Sequence, residues 1–178
     1  MEAKAIDPRY PIGEYVEVPF SPEQKKQWIN DIKYLPGIIE HSIQNLDEAQ
    51  LDTPYRDGGW KVKQLVHHVA DSHMNAYIRF KLGLTEDRPT IKPYDEGAWA
   101  KLADTNTQPI NVSLTLLHAL HLRWHAILDA MTDIDFERTV YHPERKVEIT
   151  LWNLLGSYSW HGRHHVAHIT SLRKRMNW

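Results

Sequence analysis

Four stretches of roughly 20 residues carry apolar side chains at spacings of three and four, and loops rich in Pro, Gly and Asp separate them. That pattern most restricts what the chain can become. The first stretch opens at "SPEQKKQW", with Ser21 as N-cap, Pro22 at the first helical position and Glu23 in the first turn. It predicts a helix to about Leu46, bent or broken near "LPG" at 35–37, because Pro36 removes a helical hydrogen bond. A second helix is expected from Trp60 or Lys61 to about Leu82, a third over about Asn111–Thr132 and a fourth over about Thr150–Met176. The segment "ERTVYHPERKVEIT" before the last helix reads as a small β-hairpin. "TEDRPTIKPYDEGAW" (85–99) reads as a long loop, either a functional one or a surface crossover. Residues 1–20 carry three prolines and read as an extended arm on the domain. The expectation is an all-α four-helix bundle forming one domain over residues 1–178.

Composition narrows the functional classes. The 178 residues carry a net charge of −2 with no basic block, so there is no electrostatic footprint for nucleic acid. The basic end "LRKRMNW" reads as the complement of a helix C-terminus rather than a phosphate patch. No stretch approaches the roughly 20 apolar residues of a membrane span, and no apolar leader is visible at the N-terminus. With no cysteine, disulfides, thiolate ligands and a Cys nucleophile are excluded, and a cytoplasmic location is expected.

The twelve histidines are the chemical signal. "WHGRHHVAH" (160–168) holds four of them. On a helical projection His161 and His165 lie about 40° from the centre of the apolar face, whereas His164 and His168 lie about 100° away, near solvent. An i,i+4 histidine pair sets two imidazoles one turn apart on one face, where both can reach one metal ion. The other reading of such a pair is two core-edge histidines bonded to neighbours. A third ligand has to come from another helix. On the second helix His73 projects within about 20° of the apolar face, and His67 and His68 project onto the flank at about 140° and 120°. On the third, His118, His121 and His125 point mostly away from the leucine side and read as a polar boundary or a dimer contact. His41 and His142 read as surface residues.

"RYPIGEY" (9–15), "LDTPYRDGGWKVKQLVHHVADSHMNAYIRFKL" (51–82), "RPTIKPYDEGAW" (88–99) and "WHGRHHVAHI" (160–169) together resemble the DinB/YfiT superfamily of three-histidine metalloproteins, in its YfiT-like branch. The resemblance implies an up-down-down-up bundle, a homodimer, and one divalent metal per subunit, zinc or nickel. It implies His68, His161 and His165 as the metal ligands, since the first ligand of the pattern follows a Gly-Trp by eight residues and precedes a "VADS"-type run. His73 then becomes a pocket residue near the metal. The branch is described both as metal-dependent hydrolase and as bacillithiol S-transferase, so the partner implied is a small molecule, including a low-molecular-weight thiol.

Three neutral imidazoles leave an open metal position, where a water or a thiol can be activated. The fourth-helix pair encloses "GRH" with no carboxylate, which tilts the sequence reading toward thiol transfer. Asp71 and Asp95 are the candidate bases, and Asn75, Tyr158 and Asp71 the candidates to support the ligands. Trp60, Trp99 and Tyr94 are candidate pocket walls. A non-catalytic metal-binding or stress-response protein is the alternative, and it requires a fourth ligand such as His73 or His125.

Overall fold

The computed structural model describes residues 7–178. Its elements are α1 (Pro22–Ile43), α2 (Glu48–Leu51), α3 (Val62–Thr85), α4 (Glu96–Trp99), α5 (Ala103–Thr107), α6 (Ile110–Ala130), a 3-10 turn (Ile134–Glu137), strands β1 (Thr139–His142) and β2 (Val147–Thr150), and α7 (Leu151–Met176). The four long helices form the bundle. Lys25 Nζ reaches the Met131 carbonyl just past the end of α6, so α1 and α6 run antiparallel. Arg173 Nη1 donates to the carbonyls of Ser42 and Gln44, so α1 and α7 run parallel. His67 pairs with Ser113 and His73 with His121, so α3 and α6 also run parallel. The order is therefore up-down-down-up. Parallel neighbours need a long connection, which residues 86–109 provide.

Local chemistry accounts for most boundaries. Ser21 Oγ accepts from Gln24 N at 3.1 Å to start α1, and Thr150 Oγ1 accepts from Asn153 N at 3.1 Å to start α7. Asn177 takes the left-handed conformation that ends α7 (φ 57°). The basic end works across helices: Arg173 satisfies terminal carbonyls of α1, and Arg175 donates to the Tyr55 carbonyl. The hairpin pairs Thr139 with Thr150 through to His142 with Val147. Beside it, Arg138 donates to the carbonyls of Gly83 and Glu86 and closes the end of α3.

Three expectations need correction. α1 passes through Pro36 unbroken. The carbonyl that Pro36 leaves without a helical donor is that of Ile32, and the His121 ring nitrogen Nδ1 fills the vacancy. α6 starts one residue early, after an extended Pro109. The loop at 85–99 is partly helical: Asp95 Oδ1 caps α4 by accepting from Ala98 N. Residues 7–20 form the arm, held by Trp152 Nε1 to Val18 O and Trp160 Nε1 to Gly13 O, and the first six residues of the expected arm lie outside the described residues. Among the described residues no helix is long and apolar enough to cross a membrane.

The core is split. One apolar cluster gathers Trp28, Ile32, Phe80, Trp124, Leu151 and Leu155, and another gathers Leu35, Ile39, Leu65, Val69, Leu117, Ile169 and Leu172. On each of α3, α6 and α7 a histidine sits at the junction between them. α7 also makes close approaches to its surroundings. A Cβ on Gly156 would stand 2.5 Å from the Trp28 ring and 2.5 Å from the Tyr15 hydroxyl. Gly156→Ala should therefore destabilise the protein by about 1–3 kcal/mol through overpacking, although Ala has the better helix propensity. Urea denaturation measures this, and a stabilised variant would contradict the packing.

Candidate metal centre

His68 comes from the first half of α3, and His161 and His165 from the middle of α7. One ligand atom from each lies within 4.8 Å of the other two. The Nε2 atoms converge: His161 Nε2 is 3.2 Å from His68 Nε2 and 3.1 Å from His165 Nε2. Burial drives all three toward the neutral form. His68 is pushed down to about 4, and His161 and His165 fall well below the usual imidazole value, with neighbouring histidines adding to the effect. Neutral imidazoles whose nitrogens face one point are the donor set of an N-ligated divalent ion, so the residues present fit a metal.

The flank position of His68 does not keep it from the centre. α3 is buried around most of its first half, because α6 and α7 pack on it and Trp60 covers the side, its ring centroid 4.8 Å from that of His68. His73 is fully buried on the other side of His161, with its Nε2 3.2 Å from His161 Nδ1. It does not join the converging nitrogens. Tyr158 packs edge-on against His73 and accepts a hydrogen bond from Arg79. Among the described residues Asn75 bonds only to the Asp71 carbonyl.

Three sequence expectations fail here. His164 and His168 are buried, not at the solvent boundary. Trp160 stacks on His164 at 4.5 Å and Tyr55 packs on His168 at 4.2 Å, so aromatic rings shield both, although both still border the cavity beside the centre. A projection of one helix cannot show such a cover. His121 is only 1% exposed, not a boundary or dimer contact, because it fills the gap opened by Pro36. His125 is half-buried and apart from the cluster, His41 is exposed, and His118 pairs with Glu40 on the surface. His142, expected on the surface, is half-buried in the hairpin.

A cavity of about 430 Å³ opens onto His68, His161 and His165, and a second of about 460 Å³ reaches His161 from the side of Tyr94 and Tyr158. Trp60 lines the first and Tyr94 the second, whereas Trp99 packs on Tyr94 and lines neither. Among the described residues, Glu96 is the sole carboxylate lining the first cavity, and it also lines the second. Asp95 is spent on capping α4. Asp71 lines neither cavity, and burial, with Asp104 nearby, raises its carboxyl to about 6. No local signal in the sequence marks Glu96, since its position depends on how the crossover folds back. Arg56 also lines the first cavity, with a buried Nε–H that has no partner among the described residues.

The model of the DinB superfamily matches residues 35–169, most of the chain. The chain belongs to the DinB superfamily. It is 53% identical over 175 residues to a Bacillus subtilis (strain 168) protein named "Putative metal-dependent hydrolase YfiT", covering 98% of each chain. It is 54% identical over 173 residues to a "Putative metal-dependent hydrolase" of Bacillus cereus (strain 03BB102), covering 97% of this chain and 99% of the other. The solved B. subtilis YfiT structure, described as "a probable metal-dependent hydrolase with an unusual four-helix bundle topology", superposes with a TM-score of 0.94 at 53% identity over 97% of this chain and 99% of that one. As in that relative, the DinB fold of this chain is a four-helix bundle, here with a two-stranded hairpin before the last helix.

The buried neutral histidines set the pH dependence of this DinB protein. His68, His121 and His168 titrate near 4 when folded and near 6.5 when unfolded, so the unfolded chain binds more protons between those values. Stability is therefore full above about pH 6.5 and is lost as pH falls toward 4, by up to about 1.4 kcal/mol per pH unit for each of His68 and His121 and by less for His168, which solvent screens more. Denaturant midpoints of metal-free protein at pH 7 and pH 5 check this, and equal midpoints would contradict it.

Proposed function

We propose that this chain is a metal-dependent hydrolase whose single divalent ion, zinc or nickel, is held by His68, His161 and His165. The observation that carries the reading is the convergence of three neutral imidazole Nε2 atoms on a cavity that also holds a carboxylate. A metal ion in such a site supplies a Lewis acid and lowers the pKa of a ligated water toward ~7. The protein supplies the rest. The three imidazoles leave a ligand position facing the cavity. Glu96 accepts the proton of the nucleophile and delivers it to the leaving group. Arg56 lines the cavity, and its guanidinium donor places positive charge where an anionic group of the substrate would lie. Trp60 excludes water beside His68.

Thiol transfer is the second reading, and Arg56 is the observation in its favour: a small anionic thiol of the bacillithiol class would meet that donor while its sulfur took the water's place. Glu96 moves the balance toward hydrolysis, because it provides the carboxylate that the "GRH" segment lacks. The non-catalytic metal-binding or stress-response reading needs a fourth ligand. His73 is engaged with His161 Nδ1 instead, and His125 stands apart. The family resemblance supports a homodimer as well.

His161→Ala and His165→Ala should each abolish stoichiometric metal by elemental analysis. Glu96→Gln should keep the metal and lose about 10²–10⁴-fold in kcat on whichever amide, ester, or thiol-plus-electrophile pair the metal-loaded protein turns over. Retained metal in either histidine variant would refute the site, and full activity in Glu96→Gln would remove the base.

A further inference from the structure

A line of hydrogen bonds runs from the backbone of α1 to the metal centre. It begins at the Ile32 carbonyl, which Pro36 deprives of its helical donor. His121 Nδ1 is 2.5 Å from that oxygen, His121 Nε2 is 3.0 Å from His73 Nδ1, and His73 Nε2 is 3.2 Å from His161 Nδ1. The His73 and His121 rings lie nearly parallel, 17° apart, in the fully closed layer between the two apolar clusters.

A carbonyl oxygen can only accept, and a neutral imidazole has one N–H and one lone pair. The carbonyl therefore sets the direction of the whole line. His121 must carry its proton on Nδ1, which leaves Nε2 to accept from His73 Nδ1–H. His73 Nε2 then accepts from His161 Nδ1–H. The lone pair of His161 is left on Nε2, the atom that faces His68 and His165. In the opposite direction a lone pair of His121 would point at the carbonyl lone pairs at contact distance.

We propose that Pro36, through the freed Ile32 carbonyl, and His121 and His73 in series act as positioning residues that lock His161 in the tautomer whose Nε2 lone pair faces the metal position, before any metal arrives. The inference rests on the three-histidine reading above. A metal ligand normally donates its other N–H to a carboxylate, carbonyl or water, which fixes the ring and raises its basicity. Here a relay of two imidazoles replaces that single partner and carries the polarity of a backbone carbonyl across the core. The relay also gives His73 and His121, two of the buried histidines outside the ligand set, a role that packing does not require, since a phenylalanine would fill either place without polar atoms.

The decisive test is the 15N–1H correlation spectrum of the histidine rings in metal-free wild-type protein. His121, His73 and His161 should all carry the proton on Nδ1, and a proton on Nε2 of His73 would overturn the relay. Zinc affinity by chelator competition provides the second readout. His121→Phe should weaken zinc binding about 10–100-fold. His121→Gln should recover most of it, because its amide can donate to Ile32 and accept from His73. Wild-type affinity in His121→Phe, or equal losses in both variants, would also overturn the proposal. If the Phe variant does not fold, the tautomers of the wild type still decide. A wild type that shows the tautomers but binds no zinc would instead refute the metal reading and leave the relay standing.

Discussion

An imidazole inside an apolar bundle needs partners for its ring nitrogens, and an unmet buried donor or acceptor costs about 1–3 kcal/mol. This protein buries His73, His121, His68 and His165 in one layer and sets His161 at their meeting point. The helices above and below that layer pack as ordinary leucine, isoleucine and aromatic clusters. The order of the four helices is what allows the layer to form. Parallel α3 and α6 bring His73 against His121, while antiparallel α3 and α7 bring His68 against His161 and His165.

Burial keeps the ligand imidazoles neutral, which is the protonation state a divalent ion needs. The arm at 7–20 and the loop at 52–60 then shape the way in. Tyr10, Arg56 and Trp60 stand around the first cavity, and the crossover contributes Glu96. Loops and short elements thus supply the groups that line the cavity beside the three histidines, while the long helices hold the histidines rigid.

Much of the fold was legible, because caps and apolar periodicity are local signals. Ser21, Thr150 and the hairpin around residues 143–146 behave as their residue types dictate. The pairing of His161 with His165 follows from one-turn spacing on a helix. What stayed hidden depends on contacts between distant segments. Pro36 does not break α1, because a side chain 85 residues later partners the carbonyl it frees. The position of His68 in the cluster follows from α3 being enclosed by two helices and Trp60, which a single apolar stripe understates. The burial of His164 and His168 needs Trp160 and Tyr55 folded over them. Glu96 reaches the cavity only through the path of the crossover.

The central claim is that one ion sits on three histidine nitrogens with solvent at its remaining positions. Anomalous diffraction from crystals of zinc- or nickel-loaded protein tests it most directly. The account predicts one peak per chain, about 2.0–2.1 Å from Nε2 of His68, His161 and His165, with oxygen ligands from the cavity side. A peak on His164 and His168, or a fourth protein ligand closing the site, would contradict it.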